Sequence, residues 1–177
     1  RSGTRTFRLK LGTGLEADRR VVAQAREALG PEARLRVDYN QAYAVDEAVR
    51  AIEAIAAFGI DCAEQPVRAD DWLGMARVQR AVSVPLMAHE GCFSLTDATA
   101  LIELGAVGVL GVNTERPGGI TQALRGIDYA ARTEVGMKLD EIREKEGLGA
   151  ALKWRASQFA EWRAACRDPS LAFAAPL

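Results

Sequence analysis

The stretch TFRLKLGTGLEAD, residues 6–18, decides between two parallel α/β folds. Apolar and basic residues alternate over its first half, which predicts a β-strand over residues 6–11 with one apolar face. Gly12 and Gly14 follow, and apolar residues at helical spacing begin at Leu15. A dinucleotide-binding turn would need a third glycine before the helix, and none is present. The stretch therefore favours a closed (β/α) barrel of the TIM type over a doubly wound sheet.

The same alternation of strand and helix continues to about residue 132. The pattern predicts strands at residues 34–38, 60–64, 84–88 and 106–112, and helices at 15–29, 45–58, 71–82, 94–104 and 120–132. Strands and helices that alternate at this short period indicate parallel βαβ units. We therefore predict an α/β catalytic domain over residues 1–132, with about five βα units of a partial barrel, and a helical C-terminal segment over residues 133–177.

The number of predicted units is small for a barrel. A complete (β/α)₈ barrel usually needs about 200 to 250 residues, whereas the chain has 177 residues, and no further strands are recognisable after Ala131. An open parallel sheet would expose apolar edges and half of its core. We therefore expect either a homo-oligomer that covers these surfaces or a longer natural protein.

Composition excludes several classes of partner. Since 49% of the residues are hydrophobic and 27% are charged, the chain is typical of a folded globular domain. The 23 basic and 24 acidic side chains nearly balance, so nucleic acids and anionic membranes are not expected partners. The sequence contains no membrane span and no secretory segment, which predicts a cytoplasmic protein. Its three cysteines, Cys62, Cys92 and Cys166, lack CxxC spacing and are expected to be reduced and mostly buried.

One polar residue lies at or just after the end of each predicted strand: Lys10, Asp38, Glu64, Glu90 and Asn113. The carboxyl ends of barrel strands form the mouth in which barrel enzymes place their active sites. Residues that are distant in sequence would then converge on one cavity. The alternative is a set of unrelated surface charges, because charged residues often follow strands.

Three of these residues are carboxylates and could hold a metal ion. Asp38, Glu64 and Glu90 cannot all stay ionised in one cavity unless a cation offsets their repulsion. Ligation by oxygen alone suits Mg²⁺, with Mn²⁺ as an alternative. Arg8 and Lys10, two residues apart on one strand, point to the same face. A guanidinium and a metal ion both disfavour the ammonium form of Lys10, which suits a proton-abstracting base; a solvated lysine is the alternative.

Four motifs carry a family resemblance. They are FRLKLG (residues 7–12), LRVDYNQAY (35–43), AEQPV (63–67) and GVNTERPGGIT (111–121). In order and spacing, over roughly residues 7–131, they resemble the mandelate racemase and muconate-lactonizing branch of the enolase superfamily. Members of this family also have an N-terminal capping domain, and no such segment precedes Phe7 in the sequence.

The resemblance implies Mg²⁺-dependent abstraction of the proton α to the carboxylate of a small substrate, through an enediolate. The resemblance implies a lyase or isomerase, similar either to muconate cycloisomerase or to mandelate racemase. Its reaction would be a cycloisomerisation or the dehydration of an acid sugar or hydroxy acid. Lys10 would be the base, and Arg8 would stand where the family often has lysine. A catalytically silent barrel fragment that serves in assembly or binding is the alternative.

The chain departs from the family at two positions. Within MAHEG, some members have the third metal ligand at the position of His89 and others at that of Glu90. Because neighbours on a regular strand point opposite ways, only one is expected to face the ion, and Glu90 is the harder ligand. His89 would then contact substrate or donate a proton, or else be a packing residue.

Asn113 stands where the lactonizing branch has a second catalytic lysine. Since asparagine cannot act as a base, the sequence favours chemistry that needs one base. Asn113 would orient substrate, and Asn40, on the same face as Asp38, is predicted to support substrate binding. Gly118 and Gly119 could also bind phosphate, which would indicate a different kind of barrel enzyme. A tight turn between strand and helix is the favoured interpretation of these two glycines.

Overall fold

The computed structural model describes residues 4–111, 116 and 118–130, all within one structural unit, Arg1–Val135. Its strands are β1 (Thr6–Lys10), β2 (Arg34–Asp38), β3 (Ile60–Glu64), β4 (Leu86–Ala88) and β5 (Val109–Leu110). Its helices are α1 (Leu15–Leu29), α2 (Val45–Ala56), α3 (Trp72–Ala81), α4 (Leu95–Glu103) and α5 (Ile120–Ala130). The predicted helical segment over residues 133–177 lies outside the described residues.

The five strands form one sheet in the order β1-β2-β3-β4-β5, and every neighbouring pair is parallel. A doubly wound sheet reverses its strand order at a switch point, whereas a barrel adds each new strand beside the previous one. The observed order therefore agrees with the TIM-type arrangement that the sequence predicts. It also sets the carboxyl ends of all five strands along the same edge.

Three strands are shorter than the sequence predicts: β1 ends at Lys10 instead of Leu11, and β4 and β5 begin later than expected. β4 begins at Leu86 because Pro85 has no N–H with which to continue the ladder. β5 begins at Val109 because Ala106 still belongs to the turn after α4, where its N–H donates to Leu101 O at 2.9 Å. β4 ends at Ala88, as the sequence predicts, so His89 and Glu90 follow the strand and are not part of it.

The apolar core holds the strand ends in place. Leu35 and Val37 of β2 are completely buried, and α2 packs Ala48, Ala51, Ile52 and Ile55 inward at the spacing of one helix face. Burying one such Ile or Leu side chain contributes about 1.5–3 kcal/mol. The polar strand ends therefore project from a packed framework rather than from mobile loops.

Gly118 and Gly119 lead directly into α5. Their φ angles are 84° and 105°, a left-handed backbone region that favours glycine. This geometry is the tight turn that the sequence favours at this point. In the part of the chain that the structure describes, no helix has both the length and the apolarity needed to cross a membrane.

Candidate active site and metal centre

The strand register places Lys10, Asp38 and Glu64 side by side at the carboxyl edge of the sheet. Lys10 is the register partner of Asp38, and Asp38 is the partner of Glu64. Partners in parallel strands point to the same face, so these three side chains share one surface. Two residues earlier along the strands, Arg8 is the partner of Arg36. A row of arginines therefore lies next to the row that contains the carboxylates.

Basic side chains pair with both buried carboxylates. Asp38 and Glu64 are each 1% exposed. Lys10 Nζ lies 2.5 Å from Asp38 Oδ2, and Arg8 Nη1 lies 3.3 Å from Glu64 Oε2 and 3.8 Å from Asp38 Oδ2. Arg36 Nη2 lies 3.8 Å from Glu64 Oε2. These contacts offset the free-energy cost of removing two carboxylates from water.

Asn40 connects Lys10 to Glu90. Its φ of 45° lies in the left-handed region, which asparagine adopts more readily than most residues. Asn40 Oδ1 accepts from Lys10 Nζ at 2.6 Å, and Asn40 Nδ2 donates to Glu90 Oε1 at 2.8 Å. Its backbone N–H donates to Asp38 Oδ1 at 3.0 Å. The structure thus brings Asn40 to the site, while its contact with substrate stays a prediction.

His89 and Glu90 both face Glu64. His89 Nδ1 lies 3.0 Å from Glu64 Oε1 and 3.6 Å from Glu90 Oε2. The expectation that only one of the two neighbours can face the site is therefore wrong. The alternation of side chains applies to a regular strand, and β4 ends at Ala88, so these residues lie in the turn that follows.

Gln65 fixes this turn and was not among the predicted site residues. Its side chain is buried, and its Oε1 accepts from the backbone N–H groups of His89 and Gly91, both at 3.0 Å. Its Nε2 donates to Val67 O at 3.1 Å. One buried amide therefore binds the backbone on both sides of Glu90. Gln65 lies in the motif AEQPV, but nothing in the sequence indicated which distant backbone groups its side chain would contact.

The donor set fits a divalent ion. One ligand atom from each of Glu64, His89 and Glu90 lies within 4.8 Å of the other two. Glu90 Oε2 is buried and has no hydrogen-bond partner among the described residues. Carboxylate oxygens and imidazole nitrogen are common ligands of divalent ions. Asp38, which the sequence predicts as a third carboxylate ligand, is outside this group, and its Oδ2 contacts Lys10.

Two of the three cysteines are described, and both are free and buried. Burial raises the pKa of the Cys62 thiol, and it raises the pKa of Cys92 to about 11. The prediction of buried thiols is therefore confirmed at these two positions. Cys166 and the predicted substrate residue Asn113 lie outside the described residues.

Comparison with known sequences gives a family match and named relatives. Residues 1–160 match the family model described as enolase C-terminal domain-like. A hydrophobic dipeptide epimerase of Enterococcus faecalis is 42% identical over 123 residues, which are 70% of this chain and 35% of that protein. Muconate cycloisomerase 1 of Pseudomonas putida is 31% identical over 134 residues, which are 75% of this chain and 36% of the relative.

Solved structures agree with the sequence matches. The crystal structure of a dipeptide epimerase from Enterococcus faecalis V583 superposes with a TM-score of 0.72 at 38% identity, covering 73% of this chain and 38% of that chain. The dipeptide epimerase from the same source, complexed with Mg and the dipeptide L-Leu-L-Tyr, gives a TM-score of 0.71 at 38% identity, with 73% and 37% of the two chains covered. The chain thus spans little more than a third of the length of these relatives.

Proposed function

The chain belongs to the enolase superfamily, in its mandelate racemase and muconate-lactonizing branch, and on that premise we propose that it removes the proton α to a substrate carboxylate through an enediolate. Its relatives include proteins named as epimerases and a cycloisomerase, which are isomerases. The single observation that supports this chemistry best is the strand register. It sets the amine of Lys10 level with the buried carboxylates of Asp38 and Glu64.

Lys10 is the proposed base. Its side chain is 58% exposed, so a substrate at this edge of the sheet can reach it, while Nζ contacts Asp38 Oδ2 and Asn40 Oδ1. An ammonium held in these contacts cannot accept a proton. If Asp38 turned to hold an ion, Lys10 would lose this counterion and its Nζ would be released from the contact. Arg8 Nη1, 3.8 Å from Asp38 Oδ2, would remain as a second cation beside that carboxylate.

Asp38, Glu64 and Glu90 would hold the divalent ion, which we propose to be Mg²⁺, with Mn²⁺ as the alternative. Glu64 and Glu90 each place one possible ligand atom within 4.8 Å of the other, and Mg is present in the solved structure of a relative. When bound, the ion supplies positive charge where the substrate carboxylate becomes an enediolate. The release of Lys10 from Asp38 would complete the ligand set and free the base in one movement.

We propose a small carboxylate as substrate, with hydrophobic dipeptides as the first candidates because a relative is named for them. Asn113 replaces the second base implied by the family resemblance, and its amide would orient substrate rather than transfer a proton. The proton would then leave and return on one face of the α-carbon. Exchange without inversion is expected, and the same single base suffices for cycloisomerisation or dehydration.

A catalytically silent assembly or binding protein is the second candidate. The charge balance favours it, because Arg8, Lys10 and Arg36 already face the carboxylates of Asp38 and Glu64. A site neutralised in this way does not need an ion to keep its acids charged. The homo-oligomer and the cytoplasmic location inferred from the sequence stay predictions under either function.

Exchange of the substrate α-proton with D₂O tests the proposal. The chain is incubated in D₂O with Mg²⁺ and a panel of hydrophobic dipeptides that includes L-Leu-L-Tyr, and NMR follows loss of the α-proton signal and any inversion separately. We expect exchange that requires the ion and proceeds without inversion. Lys10→Ala should abolish it.

Lys10→Arg is the matched control, because arginine keeps a cation against Asp38 but stays protonated. It should be as inactive as Lys10→Ala. Exchange that persists in both variants would show that another group is the base. If the ion binds but no α-proton exchanges in dipeptides, hydroxy acids or lactonizable acids, the result would favour the catalytically silent assembly or binding protein.

A further inference from the structure

We propose that His89 Nδ1 binds the divalent ion together with Glu64 and Glu90, and that the site therefore prefers a borderline transition-metal ion such as Zn²⁺ or Fe²⁺ over Mg²⁺. This inference rests on the proposed function, since it concerns the ion of the same site. It changes the identity of that ion and gives His89 a direct role.

The three side chains are assembled before any ion binds. His89 Nδ1 is 3.0 Å from Glu64 Oε1 and 3.6 Å from Glu90 Oε2. Two ligands that bind one ion at about 2.2 Å each can be at most about 4.4 Å apart. Both contacts already lie within that limit. Asp38 by contrast must first leave Lys10, whose Nζ is 2.5 Å away.

The backbone of His89 is fixed from two sides. Its N–H donates to the buried Gln65 Oε1 at 3.0 Å, and its carbonyl oxygen accepts from Arg116 Nη1 at 2.5 Å. Its side chain is 28% exposed, whereas Glu64 is 1% exposed. The imidazole therefore needs no backbone rearrangement to become a ligand, which lowers the ordering cost of binding.

Ligand chemistry sets the preference for the ion. Mg²⁺ selects oxygen ligands, whereas imidazole suits zinc, iron, copper and nickel. A site with two carboxylates and one imidazole should therefore discriminate against Mg²⁺. Binding through Nδ1 requires the tautomer that carries its proton on Nε2. The unpartnered Glu90 Oε2 supplies a carboxylate oxygen that has no competing hydrogen bond among the described residues.

The chain has one histidine, which makes a spectroscopic test specific. Protein labelled with ¹⁵N and purified without a polyhistidine tag should show the two ring nitrogens of a single imidazole in long-range ¹H–¹⁵N spectra. We expect Zn²⁺ to shift the Nδ1 resonance of His89 and to leave Nε2 as the protonated nitrogen. Mg²⁺ should produce a much smaller change.

Calorimetric titration of Zn²⁺ and Mg²⁺ into the metal-free protein gives the second readout. His89→Gln should weaken Zn²⁺ binding about tenfold or more, by analogy with losses seen when groups around metal sites are removed, and should change Mg²⁺ binding little. His89→Asp should shift the preference toward Mg²⁺. Glu53→Gln, which removes an exposed carboxylate on α2, is the control and should change neither affinity.

The outcomes separate this inference from the function on which it rests. Two results together would overturn the role of His89. The first is Zn²⁺ binding to the unsubstituted protein without a change in the imidazole resonances, and the second is an ion preference in His89→Gln equal to that of the unsubstituted protein. The proposed function would stand in that case if Glu64→Gln still abolished ion binding. If neither ion binds, or if Glu64→Gln has no effect, the metal centre itself is wrong and both proposals fail.

Discussion

Tyr39 and Tyr43 show how single hydroxyl groups contribute to the framework beside the site. Their rings lie 5.5 Å apart between centroids. Tyr43 OH donates to the buried Asp18 Oδ2 at 2.6 Å and accepts from Gly14 N–H at 3.0 Å. Burial, with the Asp18 hydrogen bond, raises the pKa of Tyr43 to about 12. Tyr39 is 1% exposed, and its hydroxyl has no partner in the described part of the chain.

The two tyrosines should respond oppositely to the same substitution. Tyr43→Phe leaves Asp18 and the Gly14 N–H each short of a hydrogen bond, so the free energy of unfolding should fall by about 1–3 kcal/mol. Tyr39→Phe removes a buried hydroxyl that makes no hydrogen bond there, so stability should stay constant or rise by about 1 kcal/mol. Urea unfolding of both variants measures the difference. An equal loss in the two would show that Tyr39 OH has a stabilising partner.

At the scale of elements, the turn between β4 and α4 is held by β3 through Gln65. Gln65 follows the last residue of β3 and accepts from two backbone N–H groups of the turn. Strand pairing between β3 and β4 extends over only two register pairs. The amide therefore adds a side-chain contact where the ladder is short. It also sets the position of His89 and Glu90 relative to Glu64.

Gln65→Leu should loosen the turn and weaken ion binding. The loss of one acceptor leaves the buried Gly91 N–H and the partly buried His89 N–H unpaired, which should lower the free energy of unfolding by about 1–3 kcal/mol. Gln65→Glu retains the acceptor and should recover part of the ion affinity.

Gln41→Leu is the matched control, since Gln41 Oε1 also accepts a backbone N–H, that of Ala69, but lies exposed. Calorimetric ion titration and urea unfolding measure both effects. A Gln65→Leu variant that loses stability but keeps full ion affinity would limit Gln65 to a structural role.

For the whole molecule, the hydrophobic pattern of the sequence was enough to predict the order and type of the elements. Each described strand and helix overlaps a predicted one, because apolar residues at periods of two and 3.6 determine which face of each element is buried. The bounds differed where single residues acted locally. Pro85 shortened β4, and the hydrogen bond from Ala106 to Leu101 delayed β5.

The site was predictable only where strand ends determine it. Lys10, Asp38 and Glu64 followed from their positions on successive strands, and the structure brings them together. Arg36 shares their face but was not predicted, although it precedes Asp38 by two residues. The joint approach of His89 and Glu90 to Glu64 was not predicted, because the alternation of a regular strand was applied to two residues that lie beyond the end of β4.

The stability gained on adding a divalent ion tests most directly whether these strand ends form one metal centre. At an ion concentration about 100 times the dissociation constant, binding should add about 2.7 kcal/mol to the free energy of unfolding. For a chain of this size the thermal midpoint should rise by about 5–10 °C. Glu64→Gln should remove the shift, and chelation should reverse it. A midpoint that is the same with ion and with chelator, or an equal rise in Glu64→Gln, would contradict the metal centre.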